Sequence, residues 1–176
     1  MIDDINRLAA WIGEQYDEDK RIARAATPGP WWHNPGKQWL DPEAFERYDL
    51  TKGEEFVGYG GPHPFTGAVA STGPASNPQG MADAAHIAAH DPARILRAIE
   101  AKRALVADLL AERHLVVDDP WYTCAAATDD HDGGHADADR RGQPCGCGRD
   151  ERVNRRLRLL AAEFSDRTGY AEAVGE

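Results

Sequence analysis

The sequence predicts an α+β fold: amphipathic helices packed on a small antiparallel sheet, with a Cys/His-rich loop pinning a C-terminal helix. Three observations lead there. Apolar residues recur at helical spacing in three stretches, 3–26, 82–113 and 150–164. Between the first two lies an aromatic region punctuated by Gly and Pro, with two short runs of strand character. All three cysteines then fall between positions 124 and 147, in a segment too polar to build a core. The first two observations define a helix–sheet–helix body over 1–117, and the third a Cys/His-rich loop and C-terminal helix over 118–176.

In the first helix, Ile5, Leu8, Ala9, Ile12, Tyr16, Ala23 and Ala26 share one stripe, with Trp11 and Ile22 at its edge. Asp3 and Asp4 suit its positive end. Thr27-Pro28-Gly29-Pro30 stops it, because two prolines around a glycine cannot continue a helix. Trp31 and Trp32 follow; on an extended chain they face opposite ways, one toward the core and one toward a surface. Asn34-Pro35-Gly36-Lys37 between aromatic segments fits a hairpin, and Asp41-Pro42 starts a helical turn through Phe45 and Tyr48. Residues 54–59 and 66–71 read as strands, and Ser71 to Gly80 as a loop. Gly58, Gly60 and Gly61 make no phosphate loop, since neither a helix N-terminus nor a Walker lysine follows.

An Ala-rich helix over 82–89 precedes a longer one that Asp91 caps and Pro92 opens. Ile95, Ala98, Ile99, Leu105, Val106, Leu109 and Leu110 form its apolar face, with the stem of Lys102 lying along it. His114 to Val117 is a brief extended run, and residues 125–144 are a polar loop. In the last helix, Val153, Leu157, Leu160 and Phe164 lie on one stripe, and the tail frays beyond Tyr170.

Composition narrows the function classes. Apolar content of 41% with 28% charged residues favours a folded chain over disorder, while 17 Gly and 11 Pro imply long connections. The net charge of −10 gives no global attraction to nucleic acid or anionic membranes. No apolar run is long enough to span a membrane, and the acidic, amphipathic start is unlike a signal peptide. An odd number of cysteines without a secretory signal points to a reducing compartment, the cytoplasm.

The best chemical candidate is a structural zinc site. Thiolates and imidazoles are the groups zinc takes in fours, and ligand bonds would fix a loop that has no core of its own. The four ligands chosen are Cys124, His135, Cys145 and Cys147, with His131 as substitute. The competing account is three free thiols in a loose loop. His86 and His90, one helical turn apart with Asp83 a turn earlier, could also hold a metal; but Ile87 stands where a zinc peptidase carries its glutamate, and His90 fits a helix C-terminus. Arg140, Arg141, Arg149, Arg152, Arg155, Arg156 and Arg158 could grip phosphates or form a solvated helix face. No Ser/His/Asp or Cys/His catalytic set can be assembled, because nothing fixes such residues near one another.

Three fragments carry a resemblance: Asp17 to Trp31, ending in Thr-Pro-Gly-Pro-Trp; Ala82 to Leu96, with Asp-Ala-Ala-His-Ile-Ala and Asp-Pro-Ala-Arg; and Pro144-Cys145 ahead of Leu157 to Ala161. In this order the chain resembles an uncharacterised family of small proteins of actinobacteria and their phages. The first two fragments are also similar to Ead-like early proteins of lambdoid phages. The resemblance implies a phage or prophage accessory protein in the host cytoplasm, with no activity or catalytic residue to carry over. Where relatives show a further cysteine near Cys124 and a Pro-Cys-Pro-Thr before the last helix, this chain has Ala127 and Gly146-Cys147.

Three functions follow as expectations. The first is a non-enzymatic accessory protein that binds a host protein, a defence or regulatory component, since an acidic surface suits partners that normally hold nucleic acid. The second is a zinc-stabilised nucleic-acid binder using Arg140 to Arg158. The third is a small-ligand or nucleotide binder, or a hydrolase, built on the tryptophans and His86/His90. The long helix has apolar positions enough to pack across a two-fold as well, so a homodimer is expected.

Overall fold

The computed structural model describes residues 2–33, 54–60, 67–74 and 77–175. Among them, helix α1 (Ile2–Ala25) precedes strands β1 (Trp31–His33), β2 (Glu54–Tyr59) and β3 (Gly67–Pro74). Helices α2 (Pro78–Ala89), α3 (Pro92–Ala111), α4 (Asp129–Asp132), α5 (Arg149–Ala161) and α6 (Tyr170–Val174) follow, with a 3₁₀ turn over Ala162–Phe164. The class is α+β, as expected. Among the described residues, no helix is long and apolar enough to cross a membrane.

The chain divides into two compact units, residues 19–100 and residues 1–18 with 101–176. The 1–117 and 118–176 division drawn from composition cuts across this, because the C-terminal part folds together with the start of α1 and most of α3. Composition tracks where cysteines and glycines lie; the fold joins the two ends of the chain through apolar stripes.

In the unit of residues 19–100, β1, β2 and β3 form an antiparallel sheet in that order. Trp31 pairs with Tyr59 and His33 with Val57, while Glu54 pairs with Pro74 and Tyr59 with Gly67. β1 therefore pairs with β2. The expected hairpin partner at 34–40 and the helical turn at 41–48 lie outside the described residues. The two tryptophans diverge, as alternation requires. The Trp31 indole donates to the Thr27 carbonyl at 2.9 Å, and its ring helps line a cavity of about 300 Å³ with Ile22, Ala23 and Ile95. The Trp32 ring lies across Gly58, where an added Cβ would come within 2.7 Å of it, and meets Phe56 edge-on. Both are half-buried, so neither is the purely inward residue expected.

Helix α2 packs on all three strands. The loop expected over Ser71 to Gly80 is shorter than predicted: β3 runs to Pro74 and α2 already begins at Pro78. The cause is a cap that composition hid. Asn77 accepts from the Gln79 amide at 3.0 Å, and Pro78 sits at the first helical position. Gly80 then lies against β3 so closely that a Cβ would stand 2.7 Å from the Thr72 carbonyl. The Thr72 hydroxyl donates to the Gly80 carbonyl at 2.7 Å. Asp91 caps α3 as expected, accepting from the Arg94 amide at 2.7 Å.

The other unit is held by aromatic and aliphatic contacts. Ile5, Leu8, Ile12 and Tyr16 of α1 are buried, as are Leu109 of α3 and Val153, Leu157 and Ala161 of α5. Trp11 meets Phe164 and Tyr170 edge-on at 6.2 and 6.0 Å, and Tyr16 meets Phe164 at 5.4 Å. Such pairs add to the transfer free energy of the rings, by about 0.5–1.5 kcal/mol each. Ala161 takes the central place given to Leu160, which is half-buried. The Lys102 ammonium pairs with Glu163 at the solvent-exposed end of its stem. The tail is not frayed where expected: α6 closes it, with Ala173 and Val174 buried between Gly169 and Gly175, both at positive φ.

Candidate metal centre

Three thiols and one imidazole converge in the unit that holds the C-terminal helix. The ligand atoms of His114, Cys124, Cys145 and Cys147 all lie within 4.8 Å of one another. The sulfurs of Cys124 and Cys145 are 3.9 Å apart and those of Cys145 and Cys147 3.6 Å, too far for disulfides, and all three cysteines are free. The His114 Nδ1 stands 3.6, 3.4 and 3.6 Å from the sulfurs of Cys124, Cys145 and Cys147. A tetrahedral zinc ion with ordinary bond lengths needs S···S edges of about 3.8 Å and S···N edges of about 3.6 Å. The five edges given fit that polyhedron, and the sixth, between the Cys124 and Cys147 sulfurs, is within 4.8 Å.

Local structure explains the convergence. Residues 114–117 and 123–124 run side by side: the Cys124 amide donates to the Leu115 carbonyl at 2.9 Å, and the Thr123 hydroxyl engages both the amide and the carbonyl of Val117 at 3.1 Å. The Asp132 carboxylate, buried, accepts from the His114 amide at 2.6 Å and from the Thr128 amide at 2.8 Å. Gly148, at φ 76°, turns the chain from Cys147 into α5.

The imidazole is oriented from behind. With Nδ1 facing the sulfurs, Nε2 faces the Asp150 carboxylate at 3.6 Å. Asp150 pairs with Arg149 at 3.0 Å, and both side chains are almost fully buried. The Arg149 guanidinium also donates to the Glu112 and Leu110 carbonyls at 2.8 and 2.9 Å, closing the C-terminal end of α3. A carboxylate behind a histidine is the usual support of a metal-bound imidazole.

The thiols are not equivalent. Burial pushes the Cys124 thiol up, but the amides of Ala126, Cys147 and Gly146 and the Cys147 side chain outweigh it, so it lies below the ordinary thiol value. Burial pushes the Cys145 thiol up too, and there the neighbouring Cys147 and Cys124 sulfurs add to burial while the Asp150 and Cys147 amides oppose it; it stays above the ordinary value. Thiolates this close repel one another, and a divalent cation removes that repulsion.

Three of the four ligands chosen from the sequence are in this cluster. The fourth, His135, is not: its ring is exposed and its Nδ1 lies 2.7 and 2.8 Å from the Asp129 carboxylate oxygens. The substitute, His131, is exposed too, with Nε2 on the Glu112 carbonyl. His114 takes the place instead. It stands outside the Cys/His-rich window, in a run that reads as a strand. The signal that could have found it is chemical: a histidine is out of place in a short apolar run that leads back to a cysteine.

The other candidates resolve differently. The His86 and His90 rings lie with centroids 4.3 Å apart, tilted by 39°, and His90 Nδ1 sits 2.7 Å from the His86 carbonyl at the C-cap of α2. Among the described residues they join no group of metal-ligating side chains. The arginines are mostly engaged. Arg149 is buried, Arg152 and Arg156 both hold Glu112, Arg140 donates to the Trp121 and Thr123 carbonyls, and Arg141 donates to Ala136. Arg155 and Arg158 stay exposed on α5.

The model of a family of unknown function, DUF6221, matches residues 5–173. No curated protein and no solved structure matches the chain.

Proposed function

We propose that this chain, which belongs to the DUF6221 family, is a zinc-stabilised, non-enzymatic binding protein whose metal site is structural. The observation that carries the reading is the closed set of four ligand atoms at tetrahedral edge lengths, with His114 backed by Asp150. A catalytic zinc keeps one position for water or substrate, whereas four protein ligands leave none. His114, Cys124, Cys145 and Cys147 would hold the ion, and its charge would tie residues 114–124 to the start of α5. Three free thiols suit a reducing compartment, so a cytoplasmic setting supports metal over disulfides.

The partner is a protein rather than a nucleic acid. Most of the arginines between 140 and 158 are already committed to Glu112, to backbone carbonyls or to Asp150, which weakens the phosphate-gripping alternative. In the phage or prophage setting that the resemblance implies, that partner belongs to the host. The test of the metal reading is elemental analysis of purified protein, then a thermal melt with and without chelator. One zinc per chain and a melting point that falls on chelation support it; a zinc-free, equally stable protein ends it.

A further inference from the structure

Resting on that zinc reading, we propose that the outer face of the metal knot docks a basic, amphipathic segment of a partner protein. Four large apolar side chains stand exposed there: Leu115 at 54%, Val117 at 39%, Trp121 at 53% and Tyr122 at 71%. Leu115 and Val117 lie on the first of the two segments that the knot holds side by side, and Trp121 and Tyr122 in the turn that leads into the second. Alternation along the first explains two of them. Val116 is half-buried, facing Gly134 so closely that a Cβ there would meet it at 2.6 Å, so Leu115 and Val117 point the other way.

The backbone that carries the aromatics is held in place before any partner arrives. The Trp121 amide donates to the Asp119 carboxylate at 2.9 Å, and the Tyr122 amide to the Asp119 carbonyl at 3.1 Å. The Arg140 guanidinium sits 5.9 Å from the Trp121 ring and donates to the Trp121 carbonyl. Exposed tryptophan and tyrosine on a fixed backbone are the residues that most often dominate binding energy, and little ordering entropy is left to lose.

Charge selects the partner's chemistry. Asp118 and Asp119 lie between the two apolar runs. Asp137 is brought beside them because its backbone amide donates to the Pro120 carbonyl at 3.0 Å, and the Asp139 amide donates in turn to the Asp137 carboxylate. Of the cations near these residues, Arg140 is spent on carbonyls and Arg152 on Glu112 and the Cys147 carbonyl, while Arg113, which lines a hollow with Leu115, is outnumbered by the four carboxylates. An apolar centre with a carboxylate rim is complementary to lysines or arginines spaced among apolar residues, and the aromatic faces offer cation–π contacts to the same groups. A polyanion would meet repulsion.

The experiment is selection of a random peptide display library on the zinc-loaded full-length chain, with zinc content and oligomeric state measured first. Enriched peptides should combine Lys or Arg with large apolar residues. A Trp121→Ser/Tyr122→Ser variant that keeps its zinc and melting point should bind them about tenfold more weakly or worse, and Asp118→Lys should also weaken them. Enrichment of acidic or uncharged peptides, no enrichment, equal binding by the serine variant, or a stable dimer that buries this face each overturns the proposal. A chain without zinc fails the underlying reading instead, so the two failures are told apart.

Discussion

Asp150→Asn tests how the imidazole is held. The substitution keeps the shape of the side chain and removes its charge, at a position 4% exposed beside Arg149 at 3%. Removing one partner of a buried ion pair costs about 3–5 kcal/mol. Arg149 keeps the Leu110 and Glu112 carbonyls as acceptors, so the low end applies, about 3 kcal/mol. A chain of this length loses about 2–4 °C of melting temperature per kcal/mol, which makes the drop about 6–12 °C. Zinc affinity should fall as well, by about 10- to 100-fold, because Nε2 of His114 has lost its carboxylate. Melts followed by circular dichroism at saturating and at limiting zinc separate the two effects. In excess zinc both losses appear, the weaker affinity adding about 1.4–2.7 kcal/mol to the ion-pair loss; as free zinc falls below both Kd values the affinity contribution vanishes and the ion-pair loss remains. A variant that melts with the parent protein and competes equally with a chelator for zinc would refute the role given to Asp150.

Two further outcomes follow from the unit of residues 19–100. Glu55 is 3% exposed, and burial raises its carboxyl above the ordinary range although His33, 3.8 Å away, opposes the shift. A raised folded value means that this group's contribution is fully present below its unfolded pKa, about 4.3, and is lost as pH rises through the folded value. Urea denaturation should therefore show Glu55→Gln gaining on the parent as pH rises above that range, and a pH-independent difference would remove the argument. Gly80→Ala should lower the melting temperature despite the better helix propensity of alanine, about 1 kcal/mol, because its Cβ meets the Thr72 carbonyl. A rise would mean that α2 can stand off the strand.

What was legible in the sequence depended on range. Periodicity placed α1, α3 and α5 and most of the buried faces of α1 and α5, because a stripe such as Ile5, Leu8, Ile12 and Tyr16 is written locally, whereas on α3 only Ile99 and Leu109 of the expected face are buried and Leu105 is exposed. Capping chemistry was legible at Asp91 and overlooked at Asn77, where a Gly/Ser/Pro/Asn-rich stretch reads as loop until Pro78 is recognised as a first helical residue. The thiols announced themselves by clustering. His114 did not, since its place in the cluster comes from the pairing of 115 with 124 and from the Asp132 carboxylate, both set by tertiary structure. The same holds for Arg149 and Asp150: a basic–acidic dipeptide at the start of a helix reads as solvated surface, and only packing makes it a buried support.

The zinc content of three purified proteins bears most directly on the central claim: the parent chain, His114→Ala and His135→Ala. The account predicts one ion per chain in the parent and in His135→Ala, and loss of stoichiometric zinc in His114→Ala. Zinc retained without His114, or lost without His135, would contradict it.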